Sequence, residues 1–361
     1  MRFDREIFLR QSGLLITASG DPVPACTPEL RGEADRIVGG EILAVRSPVL
    51  WHRVGLENID WECKACQNRE WAEMALLRFS FLPALASVFR ATRDERYALA
   101  ARHYIGAIIR DFGIREGWVP TPFDGATQYD IRIEGWLQAL PALLDSRAFN
   151  DAFLDLILEA VRAKLVYLSG HVYPGRNIRF LHGEVLMKNG YRLAFLPEAA
   201  AWQEQGIRIL NEEFHRQILP DGAHVEATPG YHEVVLHGMV GIWRIARVLP
   251  ELGLAVTTEA VARMFDYAVA SRLPSGAPVP MHDSIARPGQ QPNTVLEHRR
   301  EFRLLAKLPP DEMPPLRQCY PDAGQVYLRD AWNPDATFMA FDATSFGSFH
   351  WHPGRNAIHL F

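Results

Sequence analysis

The sequence predicts a mainly α protein: helical hairpins set in an arc or ring, followed by the first strands of a β-domain. Three observations predict it. Over most of the chain, apolar residues recur at helical rather than alternating spacing. Pro and Gly punctuate the ends of those stretches. Past residue 310 the pattern turns to short alternating or continuous apolar runs.

Residues 1–60 mix Pro, Gly and short apolar runs and read as an irregular or β segment, with a hairpin over Ile37–Val45. From about residue 68 the helical pattern begins, with Trp71, Met74, Ala75, Leu77 and Phe81 on one face. Further helices are expected near 94–112, 130–145, 149–168, 182–195, 198–218, 231–248, 257–272 and 294–306. Thr121-Pro122, Pro174-Gly175, Leu219-Pro220-Asp221-Gly222 and Leu273-Pro274-Ser275-Gly276 mark junctions between them. Residues 61–308 thus read as one helical catalytic domain, and the proline-rich run within 309–323 as a linker. Strands are expected at Gln325–Asp330, Ala336–Phe341 and Asn356–Phe361, with Asn333-Pro334-Asp335 as a turn. Three strands make a marginal sheet without a partner layer, so 324–361 reads as the opening of a truncated domain in a longer reading frame.

Composition narrows the function. The formal net charge of −5 over 361 residues provides no whole-chain basic field for nucleic acid. An acidic polymer would have to be held by a local basic patch. No run of about 18 apolar residues suggests a membrane span. Asp4, Glu6 and Arg10 interrupt any apolar leader, so a cytoplasmic or periplasmic protein without a clear signal peptide is expected. Cys63-Lys-Ala-Cys66 lacks the second pair that a zinc ribbon needs. The nine tryptophans suit sugar rings but equally a core.

Polar chemistry concentrates in three clusters. Asp221-Gly-Ala-His224-Val-Glu226-Ala-Thr-Pro-Gly-Tyr231-His232 puts a tyrosine and a histidine after a Pro-Gly turn at a helix start, or simply caps that helix. Gly175-Arg176-Asn177-Ile178-Arg179 flanks an amide donor with two guanidinium forks suited to carboxylates and sulfates, or is a solvated loop. His350-Trp351-His352 places two histidines on one face of a strand, catalytic or metal-ligand spacing, although two histidines do not make a zinc site. His182, His224 and Glu184 are secondary candidates.

Taken in order, these stretches resemble the heparinase II/III and alginate lyase group of polysaccharide lyases. Asn177-Ile-Arg-Phe-Leu-His-Gly-Glu184, Phe195-Leu-Pro-Glu198, Trp202, Asp221-Gly222, Glu226 and Tyr231-His232 resemble the family's helical domain. Leu328-Arg-Asp-Ala-Trp332, Phe341-Asp342-Ala343, Phe346-Gly347 and His350-Trp351-His352 resemble the opening of its β-domain. Asp60-Trp61, Asn68, Glu70-Trp71, Ile131-Arg132 and Trp136 resemble the first helices. The 54-residue step from Asn177 to Tyr231 matches the family's spacing of carboxylate binder and tyrosine.

The resemblance implies an (α/α) incomplete toroid followed by an antiparallel β-sandwich. It also implies β-elimination on a uronic-acid-containing polysaccharide or oligosaccharide. Asn177 would neutralise the uronate carboxylate. Tyr231 would protonate the leaving oxygen, and act as base where arginines lower its pKa. His350 would be the other proton-transfer partner. Arg132, Arg179, His232, Glu226 and Trp136 would bind substrate. No cofactor is required. His352 would contribute to a structural zinc in the longer protein, with its other ligands further along the chain. Ile178 stands where the family often has an aromatic or His, and Pro353-Gly354 where it has Ala-Asp.

Two other readings stay open. A helical glycoside hydrolase would need two facing carboxylates, from among Glu184, Glu226 and Asp221. A non-catalytic carbohydrate-binding member of the family would have Tyr231 and Asn177 pointing apart. Oligomeric state is not legible.

Overall fold

The structure, a computed structural model, describes residues 2–20, 23–46, 49–64, 66, 69–120, 126–284, 294–309, 313–344 and 357–361. Two units result: residues 1–174 with 181–207, and residues 175–180 with 208–361.

The first unit opens with α1 (Arg5–Ser19) and α2 (Pro28–Val38), where the sequence reading expected irregular chain. Local signals for both exist. Asp4 and Thr27 accept the N–H groups of Ile7 and Leu30, and Pro28 takes the first helical turn. Tertiary ties hold α1 as well, since Arg5 donates to the Leu144 and Phe149 carbonyls at 3.0 and 2.8 Å. A hairpin does form, but later than the expected Ile37–Val45: residues 37 and 38 end α2, and β1 (Glu41–Arg46) pairs antiparallel with β2 (Val49–Arg53), Leu43 opposite Trp51.

The single helix expected to run through Phe81 is broken into α3 (Arg69–Leu77) and α4 (Leu82–Thr92). Phe79 adopts φ +57 and Pro83 sits in the first turn of α4, so the chain cannot continue helically between them. Then follow α5 (Glu95–Asp111), α6 (Ala126–Leu143) and α7 (Asp151–Gly170). Asp94 and Asn150 cap α5 and α7. Most of α8 (Arg176–Arg192) and the first half of α9 (Ala199–Gln217) complete this unit.

The second unit holds the first residues of α8, the end of α9, and α10 (Pro229–Val248), α11 (Thr258–Ala270) and α12 (Thr294–Leu305). Phe302 of α12 packs on Trp243 of α10 and Phe265 of α11, with ring centroids 4.7 and 5.2 Å away. The antiparallel sheet β3 (Arg317–Tyr320), β4 (Gln325–Arg329), β5 (Phe338–Asp342) and β6 (Ala357–Leu360) runs in sequential order. Residues 317–320 were expected in the linker. Three of those four side chains are not buried, so no apolar alternation announced the strand. Tyr320, Tyr327, Phe338 and Ala340 bury against Tyr267 and Ala270 of α11 and against Val279 and Met281. The sheet and the last helices therefore share one core, which brings strand residues to the turns around α10.

Candidate functional site

The start of α10 is built by two histidines that never meet solvent. His232 is fully buried. Its Nδ1 accepts the His224 N–H at 3.2 Å and its Nε2 donates to the Met264 carbonyl at 2.9 Å. Both nitrogens are spent, and burial lowers its pKa to about 4, so the ring is neutral. This departs from the expected substrate-binding part, which needs a free ring atom. His224 is equally buried. Its Nε2 meets Gln217 Oε1 at 2.9 Å, and its Nδ1 accepts the Glu226 N–H at 3.4 Å.

Two tight turns lead into the helix. Gly222 has φ +92, and a Cβ there would lie 2.5 Å from the Arg263 backbone carbon, so only glycine fits. Asp221 beside it clamps backbone: Oδ1 accepts the Ala223 N–H at 3.1 Å, and Oδ2 accepts those of Asp322 and Ala323 at 2.9 and 3.0 Å. Ala227 also has positive φ, +48. Its carbonyl accepts from Gln325 Nε2 at 2.7 Å, while Gln325 Oε1 accepts from the hydroxyls of Tyr267 and Tyr327 at 2.5 and 2.9 Å. A strained alanine pinned by a buried amide is the kind of over-determined turn that functional sites employ.

Tyr231 stands on the first turn of α10, half-buried. Burial, then the carboxylates of Asp283 and Glu226, push its pKa above the ordinary tyrosine value. The sequence reading expected arginines to lower it for a base role. The charged neighbours are instead anionic, which favours the protonated phenol. Glu226 itself is buried at 1% exposure.

Arg179 does not reach out to an acidic sugar. Its Nε donates to Glu213 Oε1 at 2.8 Å and its Nη2 to Glu212 Oε2 at 2.6 Å. Glu213 accepts from Gln217 at 2.6 Å, and Gln217 holds His224. A polar chain therefore runs from the first turn of α8 to the turn before Tyr231. Asn177, on that same turn of α8, is half-buried, and among the described residues no hydrogen bond holds its amide. Phe180, one turn further on, lies against α10: a Cβ on Gly238 would sit 2.6 Å from Phe180 Cε1. Asn177 and Tyr231 thus belong to one unit, on the first turns of two helices in contact.

Arg132 and Trp136 lie in the first unit. Arg132 is fully buried and donates from Nε to the Leu77 carbonyl at 2.6 Å. Trp136 is buried edge-on to Phe79, centroids 5.5 Å apart, with Lys164 Nζ 5.6 Å from its ring. Both side chains are core in this structure, not an open sugar platform. His182, also buried, sets Nε2 2.8 Å from Asp130 Oδ2 and accepts the Tyr173 N–H at 3.1 Å. Glu184 is paired with Lys188. His350 and His352 lie outside the described residues. Among the described residues no group of three or more His, Cys, Asp or Glu side chains is arranged to hold a metal ion, and no helix is long and apolar enough to cross a membrane.

Sequence reasoning missed Glu213, Gln217, Gln325 and the turn Met281–Ser284. The signal for the last was present in Met281-His282-Asp283-Ser284, three polar residues after an apolar run.

The model of the heparinase II/III N-terminus family matches residues 50–303. The chain belongs to that family. A heparin-sulfate lyase from Pedobacter heparinus is 22% identical over 348 residues, covering 84% of this chain and 48% of that protein. One from Bacteroides stercoris is 26% identical over 49% of this chain and 29% of that protein. The chain spans about half the length, or less, of the curated relatives it matches. Heparinase folds superpose over nearly all of it. A crystal structure of heparinase III gives a TM-score of 0.75 at 18% identity, covering 98% of this chain and 61% of that one. A heparan sulfate lyase from Pedobacter heparinus gives 0.65 at 20%, covering 98% and 58%. These likenesses bear out the fold class read from the sequence, a mainly α heparinase-type domain followed by antiparallel β-strands.

Proposed function

We propose that this chain is the catalytic part of a polysaccharide lyase that cleaves a uronic-acid-containing polysaccharide or oligosaccharide by β-elimination. What supports the reading is that Asn177, an amide without a hydrogen-bond partner among the described residues, and Tyr231, a phenol whose pKa is raised, stand on the first turns of two helices that touch through Phe180 and Gly238. The family and the relatives' names add heparan sulfate as the first polymer to try.

The chemistry requires three acts. The proton on C5 of the uronate is acidified by its carboxylate, whose charge must be neutralised before an enolate-like state can form. A neutral amide donor such as Asn177 does this without introducing another titratable group. A base takes the C5 proton, and the expected one is His350. The C4–O bond then breaks as the C4=C5 double bond forms, and Tyr231 donates its proton to the departing oxygen. A phenol whose pKa lies above 10.0 carries its proton at neutral pH. The paired-carboxylate hydrolase reading has no comparable support: each oxygen of Asp221 already accepts a backbone N–H, and Glu184 is paired with Lys188. A zinc at His352 is retained as a proposal for the longer protein, and no step above passes through it.

The test uses the complete reading frame and Tyr231→Phe with a panel of uronate polymers, heparan sulfate first, following ultraviolet absorbance of the unsaturated uronate. Absorbance in the parent that disappears in the variant is expected. New reducing ends without absorbance would overturn elimination in favour of hydrolysis.

A further inference from the structure

The turn Met281–Ser284 is tied at both ends within the second unit. At one end, Ser284 Oγ accepts the Gly230 N–H at 2.8 Å, one residue before Tyr231. At the other, His282 Nε2 lies 3.2 Å from Asp342 Oδ2, with both side chains buried at 3% and 2% exposure. Asp342, at the end of β5, also accepts the Thr344 N–H at 3.1 Å and the Thr344 hydroxyl. Burial would raise the Asp342 carboxyl, but His282 and Thr344 outweigh it and hold it below the ordinary value. Ser284 N–H closes the turn on the Met281 carbonyl at 3.0 Å. His282 itself takes φ +55. A residue other than glycine persists there only where its surroundings over-determine it. Asp283 lies between these two ties.

We propose that His282 is a positioning residue: by engaging Asp342 it locks the Met281–Ser284 turn to the β-sheet, so that Asp283 is held beside Tyr231 and Ser284 beside Gly230. The charged groups acting on the Tyr231 hydroxyl come from two elements, Asp283 on this turn and Glu226 on the turn before α10. Two carboxylates repel a developing phenolate, so releasing Asp283 removes one of the two charges that, after burial, hold the phenol above its ordinary pKa. Asp342 thereby acts on the chemistry through a loop. As a part in catalysis this rests on the lyase reading; as a statement about Tyr231 it does not.

The test uses the complete reading frame and reads the Tyr231 ionisation directly, by tyrosinate absorbance differenced against Tyr231→Phe, without substrate. His282→Gln, Asp342→Asn and Asp283→Asn are each expected to lower the Tyr231 midpoint, and His282→Gln with Asp283→Asn to lower it no further than Asp283→Asn alone. On the polymer that is cleaved, His282→Gln should lower kcat about tenfold with KM nearly unchanged, since misplacement rather than lost binding is the defect. If either variant at the His282–Asp342 contact fails to fold by circular dichroism, Ser284→Ala breaks the other tie and is read the same way. A midpoint that moves in Asp283→Asn but stays at the parent value in His282→Gln, Asp342→Asn and Ser284→Ala overturns the proposal. Shifted midpoints with no cleavage of any uronate polymer would sink the lyase reading and leave the positioning of Asp283 standing.

Discussion

Gly238→Ala separates stability from activity in this protein. The added Cβ would lie 2.6 Å from Phe180 Cε1, where ordinary contact needs at least 3.4 Å. Phe180 is 4% exposed, so its ring has little room to swing away, and the first turn of α8 must yield by roughly 1 Å. Overpacking of this size costs about 1–3 kcal/mol. Replacing glycine by alanine inside a helix returns about 1 kcal/mol. The net loss of stability is therefore about 0–2 kcal/mol, small enough for the protein to remain folded. Activity has no such offset. Asn177 rides on the turn that moves while Tyr231 rides on α10, and a misplacement near 1 Å costs up to about a hundredfold in rate. The assay is the ultraviolet elimination assay beside urea unfolding. Gly238→Ala should lose about 10- to 100-fold in kcat, and Phe180→Leu in the same chain should recover much of it by restoring space. A variant that keeps kcat within about twofold would refute the argument that the Phe180–Gly238 contact sets the Asn177–Tyr231 geometry.

Three further outcomes are expected. Gln325→Leu removes the acceptor of Tyr267 and Tyr327 and the donor to Ala227, all buried. At about 1–3 kcal/mol per stranded group it should cost at least about 3 kcal/mol by urea unfolding, and a loss under about 1 kcal/mol would show that these groups find other partners. His232, lowered from 6.5 to about 4, is neutral when folded and takes a proton below 6.5 when unfolded. The unfolded state binds more protons between those values, so roughly 3 kcal/mol of stability should be lost as pH falls from 6.5 to 4. His232→Gln should flatten that slope in urea midpoints measured at the two ends, and an unchanged slope would exclude His232 as its source. Tyr231, raised above 10.0, should give a basic limb of kcat only above that pH, and a basic limb near neutrality would show that a raised Tyr231 phenol is not the proton donor.

Most of the secondary structure was legible along the chain. The sequence pattern located α5 to α12 and strands β4 to β6, but the helix expected from 182 begins at Arg176, so the stretch with Asn177 is the first turn of α8 and not a loop. The order of the Asn177, Tyr231 and β-domain stretches was enough to suggest the family. Elements that lack a strong period escaped. α1 and α2 carry caps but few buried side chains, and β3 has one buried residue in four. The break at Phe79 depends on a backbone conformation that no apolar count reveals.

The site divides along the same line. The resemblance to the family nominated Asn177 and Tyr231, while the residues alone left a solvated loop and a helix cap open. Only the tertiary structure decided what surrounds them. It turned His232 into a neutral buried strut, spent Arg179 on Glu212 and Glu213, sank Arg132 and Trp136 into the core, and faced Tyr231 with Asp283 and Glu226 instead of arginines. Those partners lie tens of positions apart in the sequence, as Asp283 does from Tyr231. Burial and electrostatics depend on distance through space, which packing sets and local sequence does not encode.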